Sequence, residues 1–249
     1  MKRFFLSTLL LSLVLGASAQ VTLTLTPDQY QDIKKQAIRE NDDWHRSHDD
    51  WGGYHVYAQR NATDKKHAKG ILYGNSITQG WWNQDSTFFK SYDLLGRGIS
   101  GQVSSQMLCR FRQDVIDMKP GFVAILAGVN DICLNNGPIP LENTFDNIVS
   151  MCELARANGI RPVLCLLTPA KRARWRPQIT DLPEQIEQLN AMIAEYGRKN
   201  HITVLDYYTP LVTDDKAMNP DCTSDGLHPN LQGYKIMEDV LVKGLKLKK

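Results

Sequence analysis

The sequence has no Cys-x-x-Cys pair, no block of five like charges and no internal repeat. Beyond its first 20 residues it has no apolar run long enough to cross a bilayer. Each gap excludes a class of protein. Cys109, Cys133, Cys152, Cys165 and Cys222 form an odd, scattered set, which argues against a disulfide framework and against a zinc module. The favoured reading makes all five small buried hydrophobes. A Cys133–Cys222 bridge between two loops is the alternative in an oxidising compartment. The formal charge is only +2. Loss of Lys2 and Arg3 with a leader would leave the chain neutral, without the basic footprint of a nucleic-acid binder. No nucleic-acid partner and no stable membrane insertion are therefore expected, and the sequence sets no oligomeric state.

What is present starts with a leader. Lys2 and Arg3 precede an apolar run from Phe4 to Gly16, and Ala17-Ser18-Ala19 is a small-residue cleavage signal. Residues 1–19 thus read as a secretory signal peptide, and the chain as secreted or periplasmic. Residues 20–69 read as an N-terminal extension too short for its own core and packed on the main domain, with a helix from Pro27 to Glu40. From residue 70 to 249, short apolar runs alternate with longer amphipathic stretches. Strands are expected at Ile71–Tyr73, Tyr92–Leu95, Phe122–Ala127, Pro162–Leu167 and Ile202–Leu205. Helices are expected at Gln102–Met118, Leu141–Ala157, Pro183–Lys199 and Leu231–Leu247. Five strands alternating with helices imply a parallel sheet covered on both faces. In such sheets, chemistry gathers just after the carboxyl ends of the strands.

Four segments stand at that rim: Gly74-Asn75-Ser76, Gly98-Ile99-Ser100-Gly101, Gly128-Val129-Asn130-Asp131 and, in the last loop, Asp225-Gly226-Leu227-His228. They resemble, in order, the four signature blocks of the SGNH (GDSL-like) hydrolase superfamily. The likeness covers roughly residues 70–240. It implies a three-layer α/β/α sandwich with a five-stranded, flavodoxin-like parallel sheet, and a carboxylic ester hydrolase that needs no cofactor. It also implies a catalytic triad of Ser76, His228 and Asp225, and an oxyanion hole of Ser76 N–H, Gly101 N–H and the Asn130 amide. The chemistry suits these residue types. A serine hydroxyl needs an adjacent base, imidazole titrates near pH 6.5 in its reference state, and a carboxylate must orient and stabilise the ring. The family usually has Asp where this chain has Asn75. That Asp is not the triad acid, so the triad survives the exchange.

Other patterns compete. Gly96-Arg97-Gly98-Ile99-Ser100-Gly101 matches a dinucleotide fingerprint, but it follows the second strand and no acid ends the next one. His45 and His48, flanked by Asp49 and Asp50, have metal-like spacing without a further convergent pair. Asn61-Ala62-Thr63 is a glycosylation sequon. Trp81 and Trp82 after the nucleophile block, Arg97 beside the second block, and Trp175 within the basic stretch Lys171–Arg176 are candidate substrate residues. With no long apolar lid segment, the expected substrate is a short acyl ester, chiefly acetyl on a carbohydrate. A lysophospholipase or thioesterase, or a catalytically weak carbohydrate-binding protein on the same fold, is the alternative.

Overall fold

The computed structural model describes residues 50–249, together with Thr26, Asp28, Gln31, Asp32 and Lys35. Asp28, Gln31, Asp32 and Lys35 are helical, and the remainder of the expected Pro27–Glu40 helix, like the leader, lies outside the described residues. The chain divides into two compact units, residues 1–47 and 48–249, and the second is described continuously from residue 50.

Five strands make one parallel sheet: β1 (Gly70–Gly74), β2 (Leu94–Gly98), β3 (Phe122–Leu126), β4 (Arg161–Cys165) and β5 (Thr203–Leu205), in the order β2-β1-β3-β4-β5. The run Phe122-Val123-Ala124-Ile125-Leu126 is buried at every position because helices cover both faces of a central parallel strand. Within residues 50–249 the α-helices are α1 (Tyr54–Thr63), α2 (Ser76–Gln84), α3 (Ser86–Ser91), α4 (Ser104–Phe111), α5 (Val129–Ile132), α6 (Leu141–Ala157), α7 (Leu182–Lys199) and α8 (Leu231–Leu245). This is the flavodoxin-like order, whose chain direction across the sheet reverses between β1 and β3, and ligands settle at that switch point. The register keeps the strand ends level there, with Gly74 opposite both Gly98 and Leu126.

Most expected elements differ by one or two residues at their ends, and two differ more. The second strand spans Leu94–Gly98 rather than Tyr92–Leu95, because Tyr92 closes α3, a helix capped when Asp85 accepts the Phe88 N–H at 3.0 Å. The expected helix over Gln102–Met118 is α4 followed by a π-helical turn at Arg112–Ile116. The first two glycines of the fingerprint, Gly96 and Gly98, are strand residues, and their use is packing. A Cβ on Gly98 would stand 2.3 Å from the Gln79 nitrogen and 2.6 Å from the Asn75 carbonyl oxygen. Glycine here lets α2 descend onto β2, so no phosphate loop exists at this place.

The cysteines are all unpaired, which excludes the Cys133–Cys222 bridge; four are buried, while Cys109 is exposed. Asn61 is no free sequon. Its amide donates to Asp114 Oδ1 at 2.6 Å and its oxygen accepts from Arg97 Nε at 2.8 Å.

Candidate active site

The nucleophile block turns from β1 into α2. Asn75 is buried, and its Oδ1 accepts the Ile77 N–H at 3.1 Å as the N-cap of α2. An amide oxygen and a carboxylate serve this purpose equally, so the departure from the family's Asp preserves the cap. Ser76 is therefore the first residue of a nine-residue helix, with its side chain at the sheet's rim. Uncompensated N–H groups and the positive end of the helix dipole collect there.

The last loop is built around Thr223 and Asp225. Thr223 Oγ1 donates to the His228 carbonyl at 2.7 Å and accepts the Gly226 N–H at 3.0 Å. Asp225 Oδ1 accepts the N–H groups of Leu227 at 2.9 Å and His228 at 2.8 Å. This frees Asp225 Oδ2 to face His228 Nδ1 at 2.7 Å. A carboxylate there favours the tautomer with its proton on Nδ1, so that Nε2 can accept. Ser76 Oγ lies 2.9 Å from that Nε2, across 152 residues of sequence. Burial raises the Asp225 pKa, but the bonds from the His228 ring and from the two backbone N–H groups outweigh it and hold the carboxyl at about 2. The acid is thus a carboxylate throughout the ordinary pH range.

Packing fixes the distance. Asn230 caps α8, accepting the Gly233 N–H at 3.1 Å. The Tyr234 hydroxyl on α8 donates to the Ile77 carbonyl on α2 at 2.8 Å, and Gln84 reaches the Pro229 carbonyl at 3.3 Å. The helix that starts at Ser76 and the helix that follows His228 are thereby joined side to side.

The candidate oxyanion residues come from the next two loops. Gly101 has φ +78° with open space beside its Cα, a conformation that suits glycine. Asn130 is buried, and its Nδ2 donates one hydrogen to the Gln102 carbonyl at 2.9 Å. Its second amide hydrogen makes no bond among the described residues. Asp131 follows it into the core, accepting the Ser104 N–H at 2.9 Å and the Thr144 hydroxyl at 3.4 Å, which ties this loop to α4 and α6.

Among the four candidate substrate residues, three are corrected. Trp81 is 2% exposed, stacks between Phe88 and Tyr234, and donates to Glu238 at 3.2 Å. It is core because helical periodicity turns it inward from the nucleophile. Trp82 packs on Phe89 and Gly96 beneath the Arg60 guanidinium. Arg97 is fully buried and bonds Asn61, the Gly96 carbonyl and Asp64. Its position within a strand points it away from the rim. Trp175 does reach the site. It is 41% exposed, its ring centroid lies 6.5 Å from that of His228, and its N–H donates to Asn135 Oδ1 at 2.9 Å.

Several participants carry no sequence signal. Asn135 also donates to the Gly101 carbonyl at 3.3 Å, so one amide links the tryptophan to the glycine loop. Arg110, fully buried, donates to the carbonyls of Gly74 at 2.9 Å and Arg97 at 3.2 Å, to Gln102 Oε1 at 2.6 Å and to Asp114 at 2.8 Å. It binds the nucleophile turn to the second block. Among the described residues no cluster of three or more His, Cys, Asp or Glu side chains could hold a metal ion, and His45 and His48 lie outside those residues.

Comparison with known proteins shows the family to which this fold belongs. A GDSL-like lipase from Bacteroides thetaiotaomicron is 43% identical, with a TM-score of 0.76 over 78% of this chain and 98% of that one. A second Bacteroides structure, from Bacteroides fragilis, is 44% identical, with a TM-score of 0.77 over 79% of this chain and 97% of that one. The isoamyl acetate-hydrolyzing esterase of Saccharomyces cerevisiae is 26% identical over 70% of this chain and 84% of its own length. The profile of the GDSL-like Lipase/Acylhydrolase family matches residues 72–236. With its fold, its sheet order and most of its length matched, the chain belongs to the GDSL-like lipase/acylhydrolase family within the SGNH hydrolases and is a carboxylic ester hydrolase.

Proposed function

We propose that the chain is a secreted esterase that removes short acyl groups, chiefly acetyl, from carbohydrate, with Ser76 as nucleophile, His228 as general base and Asp225 as its orienting acid. The observation that carries the reading is the unbroken chain Ser76 Oγ to His228 Nε2 at 2.9 Å and His228 Nδ1 to Asp225 at 2.7 Å. Ser76 Oγ attacks the ester carbonyl while Nε2 takes its proton. The tetrahedral oxyanion is held by Ser76 N–H at the start of α2, by Gly101 N–H and by the spare amide hydrogen of Asn130. The C–O bond to the alcohol then breaks, and the imidazolium returns the proton to the departing oxygen. Water, deprotonated by the same imidazole, attacks the acyl-enzyme, and the carboxylic acid leaves as Ser76 is regenerated.

The yeast relative's acetate ester supports a short acyl group. The exposed Trp175 beside His228 supports a sugar ring on the alcohol side, since aromatic faces accept such rings. The leader-like residues 1–19 support secretion, and a mature N-terminus at Gln20 is the expected sequencing result. An expressed chain that keeps Met1 would remove that part of the proposal.

The test uses a fluorophosphonate probe and a panel of acetylated sugars and short p-nitrophenyl esters. The probe should label Ser76 only, and Ser76→Ala should lower kcat by roughly 10⁴-fold or more. Labelling that persists in Ser76→Ala would show another nucleophile at work. No turnover of any panel member above that variant would remove the esterase assignment to this site.

A further inference from the structure

An open cleft of about 790 Å³ begins where the active site ends. One wall is the loop of Thr223, Ser224, Asp225 and Gly226, whose neighbour His228 bonds Ser76. The lining also includes the segment after β4 that carries Lys171, Arg172 and Arg174, next to Trp175, whose ring stacks on that of His228. The remaining charged lining residues are Glu184, Asp215 and Lys216.

Most of these charges are spoken for. Lys171 pairs with Asp215 at 2.7 Å, Lys216 with Glu184 at 3.2 Å and with Glu187 at 2.8 Å, and Asp225 with His228. Arg172 and Arg174 have no carboxylate partner among the described residues. Arg174 makes one long hydrogen bond, to the Ser224 carbonyl at 3.4 Å, which sets its guanidinium against the catalytic loop. Two planar, permanently charged forks lining a cleft, with an exposed indole adjacent in sequence, are suited to a carboxylate carried on a ring.

We propose that this cleft is a subsite for the alcohol part of the substrate and that it selects acidic sugars: acetylated uronides whose carboxylate is received by Arg172 and Arg174 while the ring lies against Trp175. The proposal rests on the esterase reading and narrows its substrate class. In this arrangement the acetyl group lies at Ser76, and the leaving alcohol points past the His228 ring into the cleft. The arginines act on binding and orientation, not on the bond-breaking step. Their contribution should therefore appear mainly in KM and should weaken as salt screens it.

The experiment compares three esters under one assay: an acetylated uronide, the methyl ester of the same uronide, which has no charge, and p-nitrophenyl acetate. The wild-type protein should favour the uronide over its methyl ester by about fivefold to tenfold in kcat/KM at low salt, the range expected of a charge-assisted contact at a partly open site. Arg172→Gln with Arg174→Gln should bring that ratio close to one through KM, with p-nitrophenyl acetate turnover unchanged. Both positions are exposed, so the variant should keep the wild-type Tm. A sulfated acetyl sugar distinguishes a carboxylate site from a general anion site, and preference for the sulfate would overturn the uronide assignment. Equal rates for the uronide and its methyl ester, or no turnover of either while p-nitrophenyl acetate is cleaved, would overturn the cleft and leave the esterase reading standing. Loss of all three activities, with Ser76 unlabelled by the phosphonate, would overturn both.

Discussion

Asp225→Asn separates two duties that one carboxylate performs. Oδ1 accepts the Leu227 and His228 N–H groups, and an amide oxygen can still do so. Oδ2 faces His228 Nδ1, and an amide there cannot stabilise the charged ring. The variant should therefore keep the loop's geometry and lose about 10³–10⁴ in kcat with KM little changed, measured by steady-state kinetics on a p-nitrophenyl ester. A loss below about tenfold would mean that His228 works without its acid. At this scale the sequence was informative only where chemistry is unambiguous. Ser76, His228 and Asp225 were legible because they stand in segments that resemble the SGNH blocks, and they do meet. Trp81, Trp82 and Arg97 were misread because proximity in sequence to a site says nothing about the direction of a side chain. Trp81 lies five residues after Ser76 yet faces the core between Phe88 and Tyr234.

Among the elements, α2 and α8 are the pair on which the nucleophile–base distance depends. The Tyr234 hydroxyl bridges them in a buried bond to the Ile77 carbonyl. Tyr234→Phe removes that bond from a carbonyl that keeps its helical partner and should cost about 1 kcal/mol, read as a lower urea midpoint at unchanged m-value. It should also lower kcat, since the helix after His228 is no longer tied to the helix that starts at Ser76. A stability loss with full activity would show that the loop of Thr223–Pro229 holds the triad unaided. The three long helices were anticipated: Leu141–Ala157 is found where periodicity places it, and α7 and α8 differ from expectation by one and two residues at their ends, whereas α1, α2, α3 and α5 are too short to show a clear period and were not expected. Glycine confused the second strand. Gly96 and Gly98 look like a turn in sequence, and only the approach of Trp82 and α2 explains why a strand should carry them.

For the molecule as a whole, the carboxylates set the response to acid. Asp225 ionises at about 2 in the folded chain against its ordinary 3.8. Its folded value is depressed, so it adds stability that is complete above about pH 4 and is lost as the pH falls toward 2. The hydrogen bond from Lys235 lowers Asp85 as well, and this acts in the same direction. Asp131 and Glu238 act oppositely, because burial raises both, and their ionisation weakens the fold as the pH rises through their folded values. The exposed pairs of Glu195 and Asp215 contribute little, since solvent screens them. The Tm should therefore fall between about pH 4 and pH 2, and Asp225→Asn should flatten that fall, as followed by circular dichroism across pH. An equally steep acid transition in the variant would assign the effect to other carboxylates.

The sequence by itself determined the parallel sheet with helices on both faces, since a buried central strand demands an unbroken apolar run and an amphipathic helix demands its period. It also made the four chemical blocks legible, because they resemble, in order, the signature segments of the SGNH hydrolases. Only the tertiary structure decided the rest. Arg110 is one of many arginines until its guanidinium is found bonding Gly74, Arg97, Gln102 and Asp114 at once. Asn135 is an ordinary loop residue until it is seen between Trp175 and Gly101. Such roles depend on distances between segments far apart in the chain. Local propensity carries no record of those distances, and close packing of the whole domain sets them.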